Sequence, residues 1–145
     1  SLTDPTLIEA LCRAGQAGVQ IDLIVRGVCC LRPGVPGVSD NVRVHSIVGR
    51  FLEHARVWWF HAGGAHRVFA ASADWMERSF DRRIEVGFPI RDPLLKQRLI
   101  GECLEGALRD DQQAWHMRAD ADYDPPTRAA AFSLQSKLLA DATRS

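Results

Sequence analysis

A chain of 145 residues, 46% hydrophobic and 25% charged, is sized for one globular domain around one sizeable core. Its 18 basic and 18 acidic side chains cancel, which excludes an indiscriminate electrostatic binder of nucleic acid. No apolar run reaches the roughly 18 residues of a membrane span, and the four cysteines lack the spacing of a zinc site or disulfide framework.

Asp4-Pro5 predicts a helix start, with aspartate as N-cap and proline at the first helical position. Leu7, Ile8, Leu11 and Cys12 then mark one apolar face, and Gly15 or Gly18 stops the helix. Val19 to Val25 reads as a buried strand interrupted only by Asp22, with Arg26 and Gly27 where it ends. Ligands collect at the carboxyl ends of strands in α/β sheets, so those two residues stand at a favoured place. Residues 31–40 form a Pro/Gly-rich loop, after which Val42, Val44 and Ile47 alternate as a short strand. Arg50 to Glu53 is expected to make one helical turn leading to His54. Arg56–Phe60 and Arg67–Ala71 are apolar strands flanking a hairpin, His61-Ala-Gly-Gly-Ala. A further strand is expected from Ile84 to Phe88, ended by Pro89. Asp92-Pro93 repeats the capping device and opens a long helix, with Leu94, Leu95, Leu99, Cys103, Leu104 and Leu108 on its apolar side. Beyond Arg109 the pattern weakens: residues 110–126 read as a strand plus loop or as a linker, and 128–142 as a helix. Helices alternating with strands make the expected fold class α/β, a mixed sheet flanked by helices.

Only Lys96 and Lys137 are lysines, and the other sixteen basic residues are arginine. Guanidinium groups suit phosphate oxygens, although a genome-wide arginine bias gives the same count. The densest group of chemistry-bearing residues is Arg50, Glu53, His54 and Arg56, followed downstream by Ser72-Ala-Asp74. With side chains alternating along a strand, Arg56 is expected on the same side as His54. Imidazole can exchange a proton near neutral pH or attack phosphorus, and arginines neutralise the phosphate. The alternative, a capping or core histidine among solvated arginines, stays open at this point. Arg26 and Arg32 form a second group around the strand end and the Pro/Gly loop, where backbone amides and guanidinium groups together bind anions. Asp81-Arg-Arg-Ile-Glu85 reads first as a surface ion-pair ladder. His45, His61, His66 and His116 lack metal-ligand spacing, so no metal site is expected.

The segments Asp22-Leu-Ile-Val-Arg-Gly, Cys29-Cys-Leu-Arg-Pro-Gly-Val-Pro-Gly, Ser46-Ile-Val-Gly-Arg-Phe-Leu-Glu-His, Ser72-Ala-Asp-Trp-Met and Asp81-Arg-Arg-Ile-Glu-Val occur in this order. In them the chain resembles the C-terminal, phospholipase D-like domain of the long bacterial polyphosphate kinases, from Ser1 to about Asp111. The resemblance implies a fragment beginning after the domain's first strand, a domain over 1–111 and a C-terminal extension over 112–145. It implies reversible transfer of the terminal phosphate of ATP to inorganic polyphosphate, releasing ADP, with Mg2+ accompanying the nucleotide. The phosphorylated histidine of such enzymes belongs to the preceding domain. His54 matches their second active-site histidine, and Arg26 an arginine contacting the nucleotide's phosphates. His54-x-Arg56 with Ser72-x-Asp74 is similar to a drifted phospholipase D motif, with Arg for Lys and Asp for Asn, which disfavours phosphodiester hydrolysis. The expected set is therefore catalytic His54, with Arg26, Arg32, Arg50, Arg56, Ser72 and Glu85 at ATP or phosphate and no metal ligands. Expected partners are the N-terminal domains of the same protein and further copies of it, without nucleic acid or a transmembrane segment. The expected location is the cytoplasm, with membrane association open. A phospholipase D-like phosphodiesterase and a non-catalytic polyanion-binding module remain as alternatives, and the isolated chain is expected not to turn over.

Overall fold

The computed structural model describes residues 1–144. Its first helix, α1 (Pro5–Gln16), begins as the sequence predicts: the Asp4 side chain accepts from the Leu7 N–H, and proline follows at the first position. Gly18, at φ +94°, takes the chain out of the helix by a turn that a side chain would oppose. Strand β1 (Ile21–Ile24) pairs in parallel with β2 (Val42–Ile47), with Ile21 opposite Val42 and Ile24 opposite His45. β2 then pairs antiparallel with β6 (Ala114–Met117), which pairs with the short β7 (Tyr123–Asp124), giving the order β1-β2-β6-β7.

The period-two alternation divides this sheet into two faces. Ile21, Leu23, Val25, Val42 and Val44 face one way and pack with Ile8, Leu11 and Cys12 of α1. Ile24, Ile47 and Ala114 face the other way, against Ala107, Leu134 and Leu138 from the C-terminal helices. The amino end of that second face is polar: Asp22 pairs with Arg43 at 2.7 Å, and His45 packs edge-on against His116. Burial pushes the His45 imidazole below its ordinary pKa, and the neighbouring His116 adds to this.

A second sheet, in the order β3-β4-β5, is formed by β3 (Val57–Phe60), β4 (Arg67–Ala71) and β5 (Gly87–Ile90), all antiparallel. The expected hairpin is present, its tip closed by a 3₁₀ turn over Ala62–Gly64. The expected strand at 84–88 instead runs from Gly87 to Ile90 and contains Pro89, which lies opposite Phe69. Proline is admissible there because β5 is an edge strand, with one side of its backbone unpaired. Short helix α2 (Glu77–Asp81) precedes it.

Asp92 caps α3 (Pro93–Leu99), accepting from the Leu94 and Leu95 N–H groups. The helix widens to π geometry over Ile100–Glu105 and closes as α4 (Gly106–Arg109). Leu94 and Leu95, expected on the buried side, are 76% and 52% exposed. The last helix, α5 (Leu134–Ala142), starts six residues later than expected, capped by Ser133. Residues ahead of it are held by side chains: Asp111 accepts from the backbone N–H groups of Ala130, Ala131 and Phe132.

Packing continues across the expected boundary at 111/112. Residues 114–117 and 123–124 are strands of the first sheet, and Leu134 of α5 completes its second core. The segment is integral to the domain because Asp110, 2% exposed, accepts from the Gln112, Gln113 and Leu134 N–H groups. Ser145, the last residue of the expected extension, lies outside the described residues.

Candidate functional site

The parallel pairing of β1 and β2 brings two expected groups to one place. Arg26 follows the end of β1, and Val48 to His54 follow the end of β2, so both leave the sheet at its carboxyl edge. The two are tied together: the Val25 N–H donates to the His45 carbonyl at 2.8 Å, and Ser46 Oγ donates to the Arg26 carbonyl at 3.5 Å. Arg50, Phe51 and His54 are exposed at this edge, with the Arg50 guanidinium 5.3 Å from the Phe51 ring centroid. The expected helical turn over 50–53 is absent. Instead the stretch is an irregular loop, in which the backbone of Phe51 is met by the buried Gln135 side chain of α5: Nε2 donates to the Phe51 carbonyl at 2.8 Å, and Oε1 accepts from its N–H at 2.9 Å.

The second sheet supplies the next contacts. Arg56, just ahead of β3, donates from Nε and Nη2 to Asp74 at 3.4 and 3.2 Å. Its Nη1 lies 3.1 Å from His54 Nδ1 and 3.3 Å from Nε2, and donates to the His54 carbonyl at 3.2 Å. A guanidinium only donates, so the imidazole nitrogen it meets acts as acceptor and the ring is oriented by that contact. Burial raises the Asp74 carboxyl, but hydrogen bonds from Arg56 and from the Ser1 nitrogen outweigh it and hold the group below its ordinary range. Arg56 and Asp74 side chains are each 20% exposed, so their attraction is only partly screened. Downstream of β4, Ser72 Oγ donates to Glu85 and accepts from the Val86 N–H, a closed pair beside this chain of contacts.

His54, Arg56 and Asp74 are thus joined directly, with Arg26 and Arg50 at the neighbouring sheet edge. Arg56, expected at phosphate, has all three guanidinium nitrogens committed to Asp74 and His54. Arg32 is not brought here. Its Nε donates at 2.7 Å to the Ala119 carbonyl, in the β6–β7 turn. Because β6 runs antiparallel to β2, that turn lies by the amino end of β2, at the other end of the sheet from His54. Sequence reasoning missed Gln135, Gln113 and Asp110, whose roles depend on partners far along the chain.

The site is an open surface. A groove of about 720 Å³ lies on the far side of Gln113 from the His54 loop, lined also by Gln112, Arg128, Phe132, Ser133 and Lys137 and by none of the expected residues. Among the described residues no group of three or more His, Cys, Asp or Glu is placed to hold a metal ion, and no helix is long and apolar enough to cross a membrane.

Comparison with known proteins agrees with this layout. Residues 1–137 match the family model described as polyphosphate kinase C-terminal domain 2. Over 123 residues, or 85% of the chain, the sequence is 59% identical to polyphosphate kinase of Burkholderia lata and 63% identical to that of Neisseria gonorrhoeae. The matched region spans 18% of each of those relatives. The crystal structure of polyphosphate kinase from Porphyromonas gingivalis superimposes with a TM-score of 0.81 at 41% identity, covering 98% of this chain and 23% of that one. The fold is that of a phospholipase D-like α/β domain, and the chain belongs to the polyphosphate kinase C-terminal domain 2 family.

Proposed function

We propose that this domain is one wall of a phosphoryl-transfer site, working in a polyphosphate kinase that passes the terminal phosphate of ATP reversibly to inorganic polyphosphate. The observation that carries the reading is the Arg56–His54 contact beside Arg26 at one sheet edge. In this reading another domain supplies the histidine that becomes phosphorylated. Arg26 and Arg50 attract and orient the nucleotide and polymer phosphates, and His54 faces the phosphoryl group in flight. Arg56 and Asp74 hold the imidazole with one nitrogen available to exchange a proton or donate to a phosphate oxygen. Transfer to phosphate asks little covalent work of the protein beyond such positioning and charge neutralisation. Magnesium accompanies the nucleotide substrate in this reading. Ser72 and Glu85 stiffen the loop beside the site, and the protein works in the cytoplasm.

Arg26→Ala in the intact kinase tests the assignment. Its side chain stands at a strand end, and loss of one charge-assisted bond, about 1.5–3 kcal/mol, lowers kcat/KM for ATP about ten- to a hundredfold. Thermal unfolding of the variant should be nearly unchanged. Unaltered kinetics with a sharply lower melting temperature would make Arg26 a structural residue instead.

A further inference from the structure

We propose that Gln135 is a positioning residue for phosphoryl transfer, holding the loop that carries Arg50 and His54 in its working shape; this rests on the role proposed for His54. The loop from Val48 to Ala55 has no regular secondary structure, so its backbone groups have no ladder to join. Gln135, 5% exposed and 84 residues along the chain from Phe51, supplies the missing partner. Its amide uses both ends: Oε1 accepts from the Phe51 N–H at 2.9 Å, while Nε2 donates to the Phe51 carbonyl at 2.8 Å and to Glu53 Oε1 at 2.7 Å. Only a carboxamide offers an acceptor and two donors in one plane, so neither glutamate nor leucine can replace it.

Gly49 reports the same closeness from the loop side. A Cβ there would lie 2.5 Å from Gln135 Oε1 and 2.6 Å from Gln113 Nε2. The Val48 N–H also donates to the Gln113 carbonyl at 3.0 Å, so two glutamines press on the loop's base. His54 follows Glu53 directly and is fixed from the other side by Arg56. The imidazole is therefore located between two anchors, one from each end of the loop. Displacement of a catalytic group by about 1 Å can cost on the order of a hundredfold in rate, which makes the anchor a kinetic element rather than packing alone.

The test uses the intact kinase with Gln135→Leu, Gln135→Glu, Glu53→Gln, His54→Ala and the exchanged pair Q135E/E53Q, assayed where each is fully folded by circular dichroism. Gln135→Leu should lower kcat for polymer synthesis about ten- to a hundredfold, with any rise in KM for ATP, to which Arg50 on the same loop contributes, smaller than that loss. Gln135→Glu sets two carboxylates against each other and should be equally slow. Exchanging the pair returns a donor to face an acceptor and should recover part of that loss. Should Gln135→Leu fail to fold, Gln135→Glu, which keeps side-chain size and the bond from Phe51 N–H, carries the kinetic reading. Wild-type kcat in a folded Gln135→Leu or Gln135→Glu, or an exchanged pair no faster than Gln135→Glu, would overturn the positioning role. Wild-type synthesis by His54→Ala would instead overturn the function proposed for the site.

Discussion

At the scale of single residues, Asp74 decides what Arg56 can do. With Asp74 in place the guanidinium is drawn between carboxylate and imidazole; without it, Arg56 is free to turn toward solvent. Asp74→Asn should cost about 1–2 kcal/mol of folding stability, since one charged partner of a partly buried pair remains. The pH dependence has a definite sign. The folded carboxyl is held below its ordinary range, so its contribution is full above the unfolded value and disappears as pH falls through the depressed one. The stability gap between wild type and Asp74→Asn, measured by urea denaturation, should therefore be largest near neutrality and narrow as acid takes the pH below the ordinary carboxylate range. A gap that widens with acid would contradict the Arg56–Asp74 account. The cluster's membership was readable from spacing, because His54 and Arg56 are close in sequence. The capture of Arg32 by the Ala119 carbonyl was not, since it depends on where a distant turn is folded.

At the scale of elements, local chemistry announced what local chemistry builds. Asp4-Pro5 and Asp92-Pro93 each cap a helix as expected, because the bonds involved span two or three residues. The stretch from 110 to 133 was opaque for the opposite reason. Its order comes from two aspartates whose carboxylates collect backbone N–H groups up to 24 residues away, with no periodic signal. Asp110→Ala strands the Gln112, Gln113 and Leu134 N–H groups and should destabilise the domain by about 3 kcal/mol, read by denaturant unfolding. Gly106 marks the same junction, since a Cβ there would lie 2.7 Å from Leu134 Cδ1 and 2.8 Å from the Gly101 carbonyl. Gly106→Ala should accordingly destabilise as well, by about 1–3 kcal/mol through overpacking. A Gly106→Ala protein as stable as wild type would mean that α5 can slide without cost.

At the scale of the whole molecule, α5 belongs to the site as well as to the core: Leu134 seals the second core while its neighbour Gln135 shapes the His54 loop. The chain by itself presents arginines and an imidazole on an open face, with no opposing wall to exclude water. It should bind polyphosphate or ATP weakly, with affinity falling steeply as salt screens the contacts over a Debye length of about 3 Å at 1 M. Calorimetric titration at low and high salt checks this, and salt-independent tight binding would show that a closed site exists within the domain alone. Incubation with ATP and magnesium should yield neither ADP nor labelled protein, because the nucleophile proposed for transfer lies elsewhere. The most direct test of the central claim is polymer synthesis by His54→Ala in the intact kinase, alongside its unfolding curve. The account predicts a folded protein, unchanged in unfolding midpoint because His54 is exposed, that makes no polyphosphate. A well-folded His54→Ala enzyme synthesising at near the wild-type rate would contradict it.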